Sequence, residues 1–214
     1  MKYLVFLILS ACLYQIPVET SAQAVGNFEL YKKISIPGNG GYDYIKIDTL
    51  YKRLFVSHGT NVTVIDMLTE QIIGSIDQMQ GVHGIAIAPE FQKGFISDGK
   101  ANAVVVFDLQ TFKVIKTIPL TDKDPDAIMY DPFSKQVFTF NGDSQNASII
   151  DAATLTQTKS IPLGGTPEFA VSDGAGLIYN NLEDKNLLNV IDAKAGKVIK
   201  TFPLDPCRPY GTRD

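Results

Sequence analysis

A pair of apolar residues followed by aspartate returns four times along this chain, as Val64-Ile65-Asp66, Val106-Phe107-Asp108, Ile149-Ile150-Asp151 and Val190-Ile191-Asp192. The aspartates stand 42, 43 and 41 positions apart. Upstream, Phe55, Phe95, Phe138 and Tyr179 repeat at 40, 43 and 41, and downstream Ile76, Ile118, Ile161 and Phe202 repeat at 42, 43 and 41. Three anchors holding one period define an array, in which each unit buries its apolar face against the next. That constraint outranks any reading of single segments.

Within a unit the pattern is that of strands. In the second unit, His83 to Ala88 is a short β-rich run closed by Pro89-Glu90-Phe91-Gln92. Gly94 to Ser97 follows and ends on the turn dipeptide Asp98-Gly99. Ala103 to Phe107 is nearly all valine, as in a strand covered on both faces, and Lys113 to Ile118 alternates like an outer strand. Four antiparallel strands in about 40–45 residues describe a propeller blade. The expected fold is therefore all-β, a β-propeller of four-stranded blades with about four blades present, at 42–76, 83–118, 126–161 and 168–202. Residues 28–37 read as an additional outer strand, the kind that closes a ring, and 203–214 as the start of a fifth blade. The repeated Asp66, Asp108, Asp151 and Asp192 open the turn between third and fourth strands, where a carboxylate accepts nearby backbone N–H groups. Their expected role is structural.

The stretches "RLFVSHGTNVTVIDMLTEQIIGSI" (53–76) and "GTPEFAVSDGAGLIYNNLEDKNLLNVIDAKAGKVIKTFPL" (165–204) resemble the YVTN β-propeller repeat of YncE-like exported bacterial proteins. The resemblance runs over residues 32 to 204. It implies an exported protein and a parent ring of seven blades, so four units make a partial, open ring. Truncation of a longer frame is the favoured explanation, and self-association of two half-rings is the other. An open ring exposes blade faces and strand edges, which favour pairing or aggregation.

The N-terminus fits export on its own terms. Lys2 precedes an apolar run from Tyr3 to Leu13, and Ala22-Gln23-Ala24 offers small residues for cleavage after Ala24. Residues 1–24 then form a signal peptide, and the expected location is periplasmic or secreted. A competing box, Leu9-Ser10-Ala11-Cys12, would instead place a lipid anchor on Cys12. After cleavage only Cys207 remains, which rules out an internal disulfide. Asn61-Val62-Thr63 and Asn146-Ala147-Ser148 match the N-glycosylation pattern. A formal charge of −4 gives no basic footprint for nucleic acid, and no later stretch is apolar enough to be a transmembrane span.

Blade topology sorts the candidate site residues. The links into the blades supply Asp43, His83, Asp126 and Glu168, at intervals of 40, 43 and 42, and these should ring the mouth of the central tunnel. The loops after the second strands add His58, Asp98, Asn141 and Glu183 on the same face. Carboxylates with imidazole suit a divalent cation or a cationic ligand, and crowded carboxylates raise one another's pKa. Asp122-Lys123-Asp124-Pro125-Asp126 spaces three acids like a calcium loop but lacks its glycine and closing glutamate. Gly164-Gly165-Thr166 lacks the helix of a phosphate cradle and reads as a blade link. No nucleophile elbow, zinc-protease helix or haem-attachment motif occurs. The leading expectation is a non-enzymatic binding or scaffold module that recognises a protein partner or small ligand through its loop face. The rivals are a metal-assisted, lactonase-like hydrolase using the acidic ring, and a truncated fragment without function.

Overall fold

The computed structural model describes residues 29–38 and 40–204. The chain divides into two units, 1–34 and 35–214. In the first, the described residues 29–34 have irregular backbone. The second contains sixteen described strands in four antiparallel sheets of four, each with its strands in chain order. Blade 1 holds β1 (Tyr42–Asp48), β2 (Arg53–His58), β3 (Asn61–Asp66) and β4 (Gln71–Ile76). Blade 2 holds β5 (Val82–Ala88), β6 (Lys93–Asp98), β7 (Ala103–Asp108) and β8 (Val114–Pro119). Blade 3 holds β9 (Pro125–Asp131), β10 (Gln136–Asn141), β11 (Asn146–Asp151) and β12 (Thr156–Pro162). Blade 4 holds β13 (Pro167–Ser172), β14 (Leu177–Leu182), β15 (Leu187–Asp192) and β16 (Lys197–Pro203).

The expected outer strand at 28–37 is not formed among its described residues, which stay irregular from 29 to 37. A strand needs a partner for its backbone groups, and each of the four blades already has its own fourth strand. Residues 1–28 and 205–214, which include the expected signal peptide, Cys12, Cys207 and most of the expected fifth-blade start, lie outside the described residues.

The core lies between blades. Phe55, Val62, Val64 and Ile76 of blade 1 pack on Ile85, Ile87, Ile96, Val105, Phe107 and Leu109 of blade 2. Phe95, Val104, Val106 and Ile118 of blade 2 pack on Ile128, Val137, Ile150 and Ala152 of blade 3. Phe138, Ala147, Ile149 and Ile161 of blade 3 then meet Ala170, Ile178, Ile191 and Ala193 of blade 4. Because side chains alternate along a strand, each blade offers one set of residues forward and the other backward. This is why the period persists at positions that never touch within one unit.

The repeated aspartates form the same turn each time. Oδ1 of Asp66 accepts N–H of Leu68 and Thr69 at 2.9 and 2.7 Å, and Asp108 accepts Gln110 and Thr111 at 3.0 and 2.7 Å. Asp151 accepts Ala153 and Thr154 at 3.0 and 2.7 Å, and Asp192 accepts Ala195 at 2.8 Å. These bonds hold the carboxyls of Asp66, Asp108 and Asp151 below their ordinary pKa, the threonine N–H being the largest cause in each. The turn closes with the fifth residue in the left-handed region: Glu70, Phe112, Leu155 and Gly196, φ 56, 60, 58 and 59°. Phe112 and Leu155 use that backbone to lay their side chains on the preceding blade, Phe112 edge-on to Phe55 at 6.2 Å.

Candidate functional site

Each inner strand carries a bulge at the same repeat position. Tyr42 pairs with His58 and Ile45 with Val56, so Asp43 and Tyr44 together oppose Ser57. The same two-against-one arrangement sets His83 and Gly84 against Ser97, Asp126 and Ala127 against Phe140, and Glu168 and Phe169 against Asn181. A bulge twists the strand and re-aims its side chains. Three of these are pinned from the second strand: Tyr44 N–H donates to Ser57 Oγ at 2.7 Å, Gly84 N–H to Ser97 Oγ at 2.9 Å, and Phe169 N–H to Asn181 Oδ1 at 3.0 Å. The four tunnel-mouth residues expected from sequence are therefore the four bulge residues.

The bulges bring three of them together. Ligand atoms of Asp43, His83 and Asp126, from three different blades, lie within 4.8 Å of one another. His83 Nδ1 is 2.7 Å from Asp43 Oδ2 and 3.7 Å from Asp126 Oδ1. Asp126 Oδ1 is shielded from solvent and has no hydrogen-bond partner. Burial pushes the Asp126 carboxyl up to about 6, reinforced by Asp43, Glu168 and Asp124 and opposed by His83. Glu168 is exposed and stands outside the triad, yet burial, then Glu183 and Asp43, raise its pKa as well. The mouth is a concentration of negative charge in a partly desolvated place.

The second expected set lies mostly inside the fold. His58, Asp98 and Asn141 are buried. Asp98 accepts the N–H groups of Gln80 and Gly81, at 3.0 and 2.8 Å, and so anchors the link into its own blade. His58 stacks on Tyr42 at 4.4 Å, with Nε2 3.2 Å from the Gly40 carbonyl. Asn141 donates to Asn146 and Ser148 at 2.7 and 2.9 Å. Glu183 is out of register with them: Leu182 pairs with Pro167, as Asn141 does with Pro125, and Glu183 falls in the loop beyond. Asp98 and His58 thus meet backbone groups of the links, and Asn141 meets side chains of the neighbouring strand, because buried polar groups are bonded.

Sequence reasoning also undervalued Asp122. In this fold it is the hub of a polar network, accepting from Asn146 Nδ2 at 2.6 Å, Ser148 Oγ at 2.7 Å, Ser160 Oγ at 2.5 Å and Gln157 Nε2 at 2.8 Å. The signal available was Gln157, polar where the other repeats carry Ile72, Val114 and Val198.

Below the mouth lies a cavity of about 310 Å³ between the inner strands, lined by Tyr44, Ile85, Met129, Phe140, Phe169 and their neighbours. The Tyr44 and Phe169 rings stack at 6.3 Å, although β1 and β13 belong to the first and last blades. Burial and the nearby Asp126, Glu168 and Asp43 push the Tyr44 hydroxyl well above its usual range, so it stays protonated. An acidic rim over an aromatic-lined chamber accommodates a cation at the top and apolar matter beneath.

A pH prediction follows for Asp126. Its folded pKa, about 6, lies above the unfolded value of about 3.9. The folded state therefore holds the extra proton between those values, and this group's contribution to stability declines as pH rises from about 4 through about 6. The difference in denaturation midpoint between wild type and Asp126→Asn should widen in favour of the variant across that interval. A difference that stays flat with pH would contradict the assignment.

Comparison with solved structures shows where such sheets occur. The chain superimposes on hydrazine synthase of Kuenenia stuttgartiensis with a TM-score of 0.70 at 18% identity, over 81% of this chain and 52% of that one. It superimposes on the β-propeller domain of Cps50 (Swd1) from Myceliophteria thermophila with a TM-score of 0.66 at 13% identity, over 79% and 57%. The fold is a β-propeller. At these identities the likeness is one of architecture, and the chain spans a little over half of either structure. Among curated proteins, antigen Lp49 of Leptospira interrogans is 35% identical over 79 residues, 37% of this chain but 17% of the antigen. No family model matches.

Proposed function

We propose that this chain is part of an exported propeller of the YVTN, YncE-like kind, and that it acts as a binding module whose tunnel mouth holds a divalent cation. The observation that carries the reading is the convergence of Asp43, His83 and Asp126 from three bulges, with one shielded carboxylate oxygen lacking a partner. One imidazole and two carboxylates suit Zn²⁺ or Mn²⁺ better than Ca²⁺, which prefers an all-oxygen shell. Asp43 and Asp126 would supply charge and His83 a nitrogen, while Glu168 would attract the ion from the rim. A cation there would answer Asp126 Oδ1 and leave open positions toward the chamber for a ligand or a partner's side chain.

Calorimetric titration of the chain with Zn²⁺, repeated with Mn²⁺ and Ca²⁺, tests this. His83→Ala and Asp126→Asn should each weaken Zn²⁺ binding by roughly tenfold or more, whereas Glu183→Gln should leave it nearly unchanged. Equal affinity in wild type and His83→Ala would remove the tunnel-mouth site. Asp43→Ala separates binding from hydrolysis: a hydrolase would lose metal and turnover together.

Export is part of the same proposal and rests on Lys2, the Tyr3–Leu13 run and Ala22-Gln23-Ala24. N-terminal sequencing of the protein recovered from the envelope fraction should begin at Val25. An intact Met1 terminus would argue against it.

A further inference from the structure

Asp124 stands at a repeat position where the other blades carry Gly41, Gly81 and Thr166. One bond marks the position in every blade: the carbonyl of Gly41, Gly81, Asp124 or Thr166 accepts the N–H of Gly59, Gly99, Gly142 or Glu183 from the loop after the second strand. Of the four, Asp124 is the one acid and the one residue in the left-handed region, at φ 59°. Aspartate and asparagine tolerate that backbone better than most side chains. Asn102 Oδ1 accepts the Asp124 N–H at 2.9 Å, and the Asp124 carbonyl accepts that of Gly142 at 2.9 Å. The residue is thus held from blade 2 on one side and blade 3 on the other.

Two glycines clear the seat of its carboxylate. A Cβ on Gly142 would meet Asp124 Oδ2 at 3.0 Å, and a Cβ on Gly99 would meet Oδ1 at 3.0 Å. Neither glycine lies in the left-handed region, so what each supplies is room rather than backbone freedom. The same Cβ on Gly99 would lie 2.8 Å from Nε2 of His83. The far nitrogen of the tunnel-mouth imidazole and an oxygen of Asp124 therefore stand beside one bare Cα, although no hydrogen bond joins them as they stand. The charge of Asp124 also reaches the mouth, where it is among those that raise the pKa of Asp126.

A neutral imidazole has one N–H and one lone pair. Asp43 Oδ2, 2.7 Å from Nδ1, favours the form with the N–H on that nitrogen, which leaves no lone pair there for a cation. A cation on Nδ1 requires the N–H at Nε2, and the second nitrogen of a metal-bound imidazole usually donates to a carboxylate, carbonyl or water. Asp124 is the carboxylate on that side. We infer that Asp124 is the positioning residue of the tunnel-mouth site: its carboxylate accepts the Nε2–H of His83 and thereby presents Nδ1 to the cation. A small swing of either side chain over Gly99 makes the bond. This role presupposes the cation site proposed above and adds to it an orienting group outside its three ligands.

The test follows Zn²⁺ binding by calorimetry and the His83 ring by nitrogen-15 correlated NMR, in wild type, Asp124→Gly, Asp124→Asn and Glu168→Gln. The chain has two histidines, and the signals lost in His83→Ala identify the ring. Glycine suits a positive φ and already holds this position in blades 1 and 2, so Asp124→Gly keeps the fold. With Zn²⁺, wild type should show a bound Nδ1 and a downfield, slowly exchanging Nε2–H. Asp124→Gly should weaken binding by about 10- to 100-fold and lose the protection of that proton. Asp124→Asn keeps an acceptor oxygen and should fall between the two. Glu168→Gln should lower affinity through charge alone and leave the Nε2–H signal in place. Equal Zn²⁺ affinity in wild type and Asp124→Gly, an Nε2–H signal that survives that change, or Zn²⁺ bound through Nε2 would overturn the role of Asp124 and leave the cation site standing. A wild type that binds no Zn²⁺ would remove the site and this role together.

Discussion

Phe95→Ala should destabilise the protein by about 3–5 kcal/mol, the range for deleting a fully buried aromatic side chain, whereas Tyr179→Ala at the same repeat position should cost much less. Phe95 is completely enclosed between blades 2 and 3, against Ala86, Val106 and Ile128 in the same cluster. Its truncation leaves a cavity whose walls belong to two sheets and cannot collapse without moving a ladder of backbone hydrogen bonds. Tyr179 faces forward from blade 4, is half-buried, and has no fifth blade beyond it among the described residues. Denaturant unfolding of the two variants, followed by circular dichroism, provides the check. Equal losses would mean that the fourth blade's forward face is covered in the monomer.

Asp122→Ala should cost about 2–4 kcal/mol, because it strands several polar partners at once. Ser148, Ser160, Asn146 and Gln157 all donate to this carboxylate. Two of them come from the outer strand of blade 3, so the loss should be read chiefly as loosening of β12. Burial alone would raise the Asp122 pKa, but the bonds from Ser160, Ser148, Asn146 and Gln157 outweigh it and hold the carboxyl below its ordinary value. A group depressed on folding stabilises the native state above the unfolded value, near 3.9, and loses that contribution as pH falls through the lower folded value. Asp122→Asn should therefore be most harmful near neutrality and converge on wild type in acid. Hydrogen exchange along Thr156–Pro162 should accelerate in both variants, and unchanged exchange there would refute the hub role.

Phe95 and Asp122 were legible to different degrees. Phe95 belongs to a recurring aromatic position, and a recurring apolar residue in a repeat is there because neighbouring units bury it. Asp122 belongs to no repeat series, and its spacing to Asp124 and Asp126 pointed instead to metal chemistry. Its true partners are 24 to 38 residues away, beyond the reach of any local pattern.

The period, the four-stranded blade, the four blades present and the positions of the turn aspartates could be read from the residues alone, because each depends on short-range alternation and local hydrogen bonding that every unit repeats. The repeat also placed Asp43, His83, Asp126 and Glu168 at one level of the fold. Which of those side chains meet could not be read there, since that depends on a bulge in each inner strand and on the angle between neighbouring blades. The inward turn of His58, Asp98 and Asn141 and the one-residue offset of Glu183 were likewise invisible, because the partners of a buried polar group are set by the folded link and the neighbouring strand. Ile45 and Ile85 read alike in the chain, yet one is exposed and the other buried. Burial in an array is conferred by the neighbour, and the end units have one neighbour fewer.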